Sequence, residues 1–299
     1  MRVFAKALIV GILGGVLGLG TPALAQGQDL VPKQRFILSE NADLPGGDLA
    51  SIFDTTIEAC EKACLANKQC TAFTFNTRNG SCFPKSAPGE EAFFQGAFSG
   101  RVVANDPAVI AGAAARRAEL GFLADYDIAN AYLQANDLGN LHTSGLWTAE
   151  EHLQSAADAE ANGDMVLAGQ FTGAALNVSD APDLWLEYAR RLMAAGDRDT
   201  DNQRSYRERA VNAAINGYLR ADNPALQHSI LVQLGNSLEG IDRGRDTVQA
   251  LRLAQSLQSR DDTAVLLDAA MGKYGFRITE HDVQSDSARP RVCATFSED

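Results

Sequence analysis

The run Cys60-Glu-Lys-Ala-Cys64-Leu-Ala-Asn-Lys-Gln-Cys70-Thr-Ala-Phe-Thr-Phe75, with Asn79-Gly80-Ser81-Cys82 behind it, holds four of the five cysteines of the chain. Cys60 and Cys64 are spaced to share one face of a helix. Thr55 or Thr56 supplies a cap, and Glu58 falls in the first turn. Ala72-Phe73-Thr74-Phe75 alternates as a half-buried strand does. Asn79-Gly80 makes a hairpin turn, and Cys82-Phe83 opens the return strand. The stretch predicts a short helix tied by two disulfides to a small hairpin, and spacing alone leaves the connectivity open. A zinc site is disfavoured, because no C-x2-C knuckle is present and no histidine lies near.

The pattern C-x3-C-x5-C-x-A-F-x-F with a later N-G-x-C resembles the PAN/Apple module in its short bacterial form, over about residues 34–103. The resemblance implies a helix cradled by a small antiparallel sheet, pairs Cys60–Cys82 and Cys64–Cys70, and binding of a protein or a carbohydrate. The outermost cysteine pair of longer Apple modules is missing. Arg35-Phe36-Ile37-Leu38 reads as the first strand. Leu44-Pro45-Gly46-Gly47-Asp48 carries a turn. Ser51-Ile52-Phe53 is a second short strand or the lead into the helix, and Ala97 to Val103 is the closing strand. Phe36, Phe73, Phe75, Phe83 and Phe98 are the expected core. The loop Asn41 to Asp48 and the hairpin Thr74 to Asn79 are the expected contact regions, with Asp43, Asp48, Asn76 and Arg78 as candidate binding residues.

Outward from this module, residues 1–25 read as an export signal. Arg2 and Lys6 form a positive start, Ala7 to Gly20 is apolar, and Ala23-Leu24-Ala25 is a cleavage site. The apolar run is too short to favour a membrane span. An oxidising compartment follows, the periplasm of a Gram-negative bacterium or the medium. The net charge of -12 and the lack of a basic stripe argue against nucleic acid as a partner.

Beyond Asn105-Asp106-Pro107, cysteine vanishes and alanine rises. Helical spacing predicts helices over 108–121, 125–137, 148–161, 164–176, 182–195, 203–220, 224–238, 244–258 and 261–273. Breaks are expected at Gly139-Asn140, Asn162-Gly163-Asp164, Gly196-Asp197, Asp222-Asn223-Pro224 and Gly240 to Gly244. Leu146-Trp147 with Gly163 recurs as Leu184-Trp185 with Gly196. The two glycines stand 33 residues apart, close to the period of tetratricopeptide-type helix pairs. An α-solenoid over 107–274 is the expectation, serving as a partner surface or as a spacer.

Phe276 to Thr279 and Arg291 to Ser297 alternate as strands, and Cys293 has no evident mate. The order of signal, Apple-like module, Ala-rich helices and a strand P-R-V-C-x-x-F-S is similar to the N-terminus of bacterial alpha-2-macroglobulin-like proteins. That resemblance implies that residues 276–299 open a macroglobulin-like domain, and that proteases are partners of a longer parent chain. No C-x-E-Q thioester motif or bait region is present in these residues.

Catalytic signals are weak. His142, His152, His228 and His281 are scattered and read as surface or capping residues. No G-x-S-x-G elbow, H-E-x-x-H or phosphate loop stands outside the signal. Asp197 to Asp201 has the spacing of a calcium loop but lacks its glycine and final glutamate. Asn177-Val178-Ser179 fits a glycosylation sequon. The chain is therefore expected to be α+β and multi-domain, non-catalytic, and without cofactor or metal: a PAN/Apple module, a helical-repeat region and a short C-terminal β segment.

Overall fold

The computed structural model describes residues 30–276, 278–286 and 289–296. The expected signal at 1–25 and Ser297 of the terminal motif lie outside the described residues.

The N-terminal module is a four-stranded antiparallel sheet carrying one helix. Its elements are β1 (Gln34–Asp43), α1 (Ile57–Ala66), β2 (Ala72–Asn76), β3 (Ser81–Lys85) and β4 (Ala92–Ala104), and the strand order is β1-β4-β2-β3. Thr56 caps α1 by accepting the N–H of Ala59 at 3.3 Å. The register sets Phe75 opposite Cys82, so both face α1 with Phe73 and Leu38. Disulfides join Cys60 to Cys82 and Cys64 to Cys70, with Cα atoms 5.6 Å and 5.3 Å apart. Phe36 meets Phe73 edge-on at 5.1 Å.

Two expectations for the module are corrected, and an open one is decided. Phe83 pairs with Thr74, one residue out of phase with Cys82, and so lies on the other sheet face. Ser51 to Phe53 is the lead into α1: Ile52 makes only an isolated bridge to Cys82. The first and last strands in sequence are longer than their apolar cores suggest. β1 runs on to Asp43 through a bulge at Asn41, which has φ 56°, and β4 begins at Ala92.

The helical region comprises α2 (Pro107–Glu119), α3 (Asp125–Leu141), α4 (Ala149–Ala161), α5 (Met165–Ser179), α6 (Pro182–Arg198), α7 (Gln203–Arg220), α8 (Pro224–Glu239), α9 (Gly244–Leu257) and α10 (Asp261–Tyr274). From α4 onward each helix packs on the next, whereas α2 and α3 lie across α7. Asp106 caps before Pro107 and Asn223 before Pro224. Trp185, Tyr188, Tyr218, Ile215 and Ile230 are fully buried at the centre.

Gly139 and Gly196 were expected to break helices and do not. Gly139 lies within α3, and a Cβ there would stand 3.0 Å from the Leu38 side chain. Gly196 lies within α6 against Gln203 and Tyr206. Both admit neighbours closer than a side chain ordinarily allows. The repeat is not structural either. Trp147 sits half-exposed in the loop before α4, while Trp185 is buried inside α6. His142, His152 and His228 are buried rather than superficial, and only His281 is exposed.

The module docks on the helices through β1. Asn177 of α5 donates to the carbonyl of Leu38 at 2.8 Å and accepts its N–H at 3.2 Å, as a neighbouring strand would. Ser144 donates a backbone N–H to the same carbonyl at 2.9 Å. Arg35 donates to the carbonyls of Asn177 and Val178, at the negative end of α5. Asn177 is 1% exposed, so the sequon residue is a clamp and no glycan reaches it. The opposite margin, β3, is covered by the segment before α1. Leu49 donates to Pro84, and Ile52 and Cys82 exchange both backbone bonds.

At the C-terminus, β5 (Ile278–Gln284) and β6 (Arg291–Phe296) form a separate two-stranded sheet. Phe276 stacks on Phe296 at 4.9 Å. Val283, Val292 and the free thiol Cys293 are exposed. Among the described residues no helix is long and apolar enough to cross a membrane.

Candidate functional site

The sheet face turned away from α1 carries a cavity of about 350 Å³. The pleat decides which residues line it. Because Phe73, Phe75 and Cys82 point to the helix, Thr74, Asn76, Phe83 and Lys85 point away from it. The Cys60–Cys82 bond thereby fixes which face of β3 receives Phe83 and Lys85. The end of β1 and the loop after it form the rim with Asp43, Pro45 and Asp48, and Phe94 of β4 closes the other side.

Backbone geometry holds that rim in place. Gly47 has φ 71°, and a Cβ there would meet the carbonyl oxygen of Ala87 at 2.4 Å, so only glycine allows the loop to lie this close. Ser86 donates its N–H to the Gly47 carbonyl at 2.9 Å. Leu44 donates its N–H to Thr74 Oγ1 at 3.2 Å, tying the loop to the cavity floor.

Lys85 is 4% exposed, and its ammonium is ion-paired with Asp48. The same Nζ lies 5.9 Å from the Phe83 ring centroid. Asn76 accepts the backbone N–H of Arg78 at 2.9 Å, which directs its amide. Its Nδ2 has no hydrogen-bond partner among the described residues, and neither does the Asp43 carboxylate. The cavity therefore presents two carboxylates, one amide donor, a shielded ammonium and two phenyl rings. Phe94 is 51% exposed and Phe93 beside it 71%.

Of the candidate binding residues, Asp43, Asp48 and Asn76 converge here. Arg78 does not: it lies along the hairpin backbone, so close to Gly96 that a Cβ there would stand 2.9 Å from its Nε. Phe83, Lys85 and Phe94 belong to the site and were not anticipated. Placing Cys82 inward would have turned Phe83 and Lys85 outward, since alternate residues share a face.

Elsewhere, no group of three or more His, Cys, Asp or Glu side chains among the described residues is placed to hold a metal ion. A comparison with curated proteins finds no match for the chain. Residues 34–106, which carry both disulfides and every residue of the outer cavity, match the family model of the PAN domain.

Proposed function

We propose that this chain is an exported, non-catalytic binding protein whose PAN domain captures its partner on the outer sheet face. The observation that carries this reading is the convergence of Asp43, Asp48, Asn76 and the exposed ring of Phe94 at one cavity. Carboxylates and an amide beside a bare aromatic ring suit a saccharide. The acceptors and the donor take hydroxyls, and the ring takes the apolar face of the sugar. The two disulfides and the features of residues 1–25 support an oxidising compartment, the periplasm or the medium. The helical region holds the module by its β1 edge and leaves the opposite face of the sheet open.

The test is an oligosaccharide array probed with the disulfide-intact chain, alongside Phe94→Ala, Asp43→Asn and Arg78→Ala. Saccharide binding is expected, weakened about tenfold by each of the first two changes and unaffected by the third. Equal binding by all variants, or none by the parent, would sink the saccharide reading. Cross-linking at Phe94 to a protein would then favour a protein partner.

A second reading rests on the C-terminal hairpin. Its exposed Val283, Val292 and Phe296 suit the opening strands of a larger β domain, since a lone hairpin buries too little to stand alone. This reading supports the resemblance to alpha-2-macroglobulin-like protease inhibitors, with proteases as partners of a longer chain. Coding sequence beyond Asp299 that continued into β-sandwich domains and a C-x-E-Q motif would support it. A stop codon at that point would remove it.

A further inference from the structure

The helical region contains a cavity of about 400 Å³ between the end of α3 and helices α4 to α7. Its polar wall is built around Arg209. The guanidinium Nη2 donates to the Tyr188 hydroxyl at 2.6 Å and lies 3.3 Å from His142 Nε2. The Tyr188 hydroxyl in turn is 2.7 Å from the same Nε2. Donors approach this nitrogen from both sides, so Nε2 accepts and the His142 proton sits on Nδ1. Tyr188 and Tyr206 flank the guanidinium, their ring centroids 6.0 Å and 5.8 Å from Cζ.

Three features mark this wall as waiting for a ligand. Arg209 has no carboxylate partner among the described residues, in a chain of net charge -12, and its Nε is buried without a partner. His152 is 5% exposed; it lines the same cavity and spends its Nε2 on the Ser144 carbonyl at 2.9 Å. Its Nδ1 is left as a buried acceptor with no donor. Such orphans are costly unless something fills them. The third feature is α5, which is thinned on this side. Gly173 makes room for the His142 ring, which a Cβ would strike at 2.3 Å, and a Cβ at Gly169 would meet nothing within 4 Å. Glycine weakens a helix interior, and here it opens space. The remaining wall is mainly apolar, with Leu141, Val166, Leu167 and Leu192, and is broken by Thr143 and Gln170.

We propose that this cavity binds the carboxylate end of an apolar ligand. Arg209 takes the carboxylate, His152 Nδ1 accepts an adjacent N–H, and the aliphatic wall takes the side chain. A planar guanidinium matches a carboxylate in shape and charge, and one unpaired cation matches one negative charge. A peptide C-terminus and a free N-acyl amino acid share this chemistry.

The test titrates the full chain with N-acetyl-L-leucine and with acetyl-Ala-Ala-Ala-Leu, each as the free acid and as the amide. Calorimetry gives the affinity. Trp147 fluorescence reports the site, because that ring lies 5.3 Å from His152 and stacks on Phe171 at 6.1 Å. At least one acid is expected to bind, with its amide weaker by about tenfold or more. Binding of the peptide acid alone assigns a chain terminus, and binding of the small acid alone assigns a free metabolite. Gly169→Leu should abolish binding by filling the cavity while leaving the Arg209, Tyr188 and His142 bonds in place. Arg209→Gln should weaken it about tenfold or more, with helical circular dichroism retained in both variants. If neither variant folds, the acid–amide difference in the parent decides. Failure of both acids, equal binding of acid and amide, or full binding by a folded Gly169→Leu overturns the proposal.

Discussion

The PAN domain and the helical region solve the same problem with opposite means. The module has a thin core of Leu38, Phe73, Phe75 and four half-cystines, too little apolar area to stand without cross-links. The helical region has no cross-link and buries Trp185, Tyr188, Tyr218 and a dense set of leucines and alanines. One half is held mainly by limiting its unfolded chain, the other by filling its interior. Each should therefore fail under a stress that the other survives.

The largest expected effect is in the helices. Trp185→Ala removes a fully buried indole that also donates to Asp180 at 2.8 Å. It should cost about 4 kcal/mol, read as a drop in the urea midpoint of the helical signal while both disulfides persist. Reduction is the mirror experiment. Opening Cys60–Cys82, which spans 22 residues, should cost the module roughly 3 kcal/mol, and opening Cys64–Cys70, which spans 6, roughly 2 kcal/mol. Amide exchange should then rise throughout β2 and β3 while α6 to α8 remain protected. Simultaneous loss of both regions on reduction would show that the comparison is false.

Acid separates the halves again. Burial first, and then the Arg209 charge, lower the His142 pKa from 6.5 to about 4. The unfolded imidazole thus takes its proton first as pH falls. Stability from this site is full above pH 6.5 and declines towards pH 4, by roughly 3 kcal/mol. Glu61 has the opposite sign. Burial, then the nearby Glu58 and Asp137 carboxylates, raise it from 4.5 to about 7. Its contribution is full below pH 4.5 and is lost as pH rises through 7. Glu61→Gln should therefore stabilise the chain at pH 8, by about 1 kcal/mol after solvent screening. Urea midpoints taken between pH 4 and 8 check both, and a profile with the slopes exchanged would refute the assignments.

A more local test concerns the joint. Asn177→Ala leaves the N–H of Leu38 without its partner and strips one donor from its carbonyl, at a cost of about 2 kcal/mol. Exchange at β1 should accelerate without loss of either disulfide. An unchanged β1 would mean that Ser144 and Arg35 hold the module by themselves.

What could be read in advance followed the range of the forces involved. The spacing of Cys60 and Cys64, a cap at Thr55 or Thr56 and the Asn223-Pro224 start are local, and the helix and hairpin could be drawn from them. Phe83 was misplaced because an aromatic residue in a strand reads as core until the register is known. Gly139 and Gly196 looked like breaks because their packing partners, Leu38 and Tyr206, come from other elements. The buried histidines and the Asn177 clamp were hidden for the same reason: each is satisfied by a residue far along the chain. Asp43, Asp48 and Asn76 were within reach because they flank turns. Phe94 was not, since β4 extends five residues before Ala97 through its pairing with β1.

Both margins of the four-stranded sheet are already occupied, one by an amide from α5 and the other by the segment leading into α1. An extended peptide joining it as a fifth strand, the main-chain mode of recognition open to sheets with a bare edge, would have to displace Asn177 from Leu38 or the 49–52 segment from β3. Recognition by side chains on the outer face asks for no such displacement. Its selectivity can then be rewritten at the surface, residue by residue, while the backbone beneath stays unchanged.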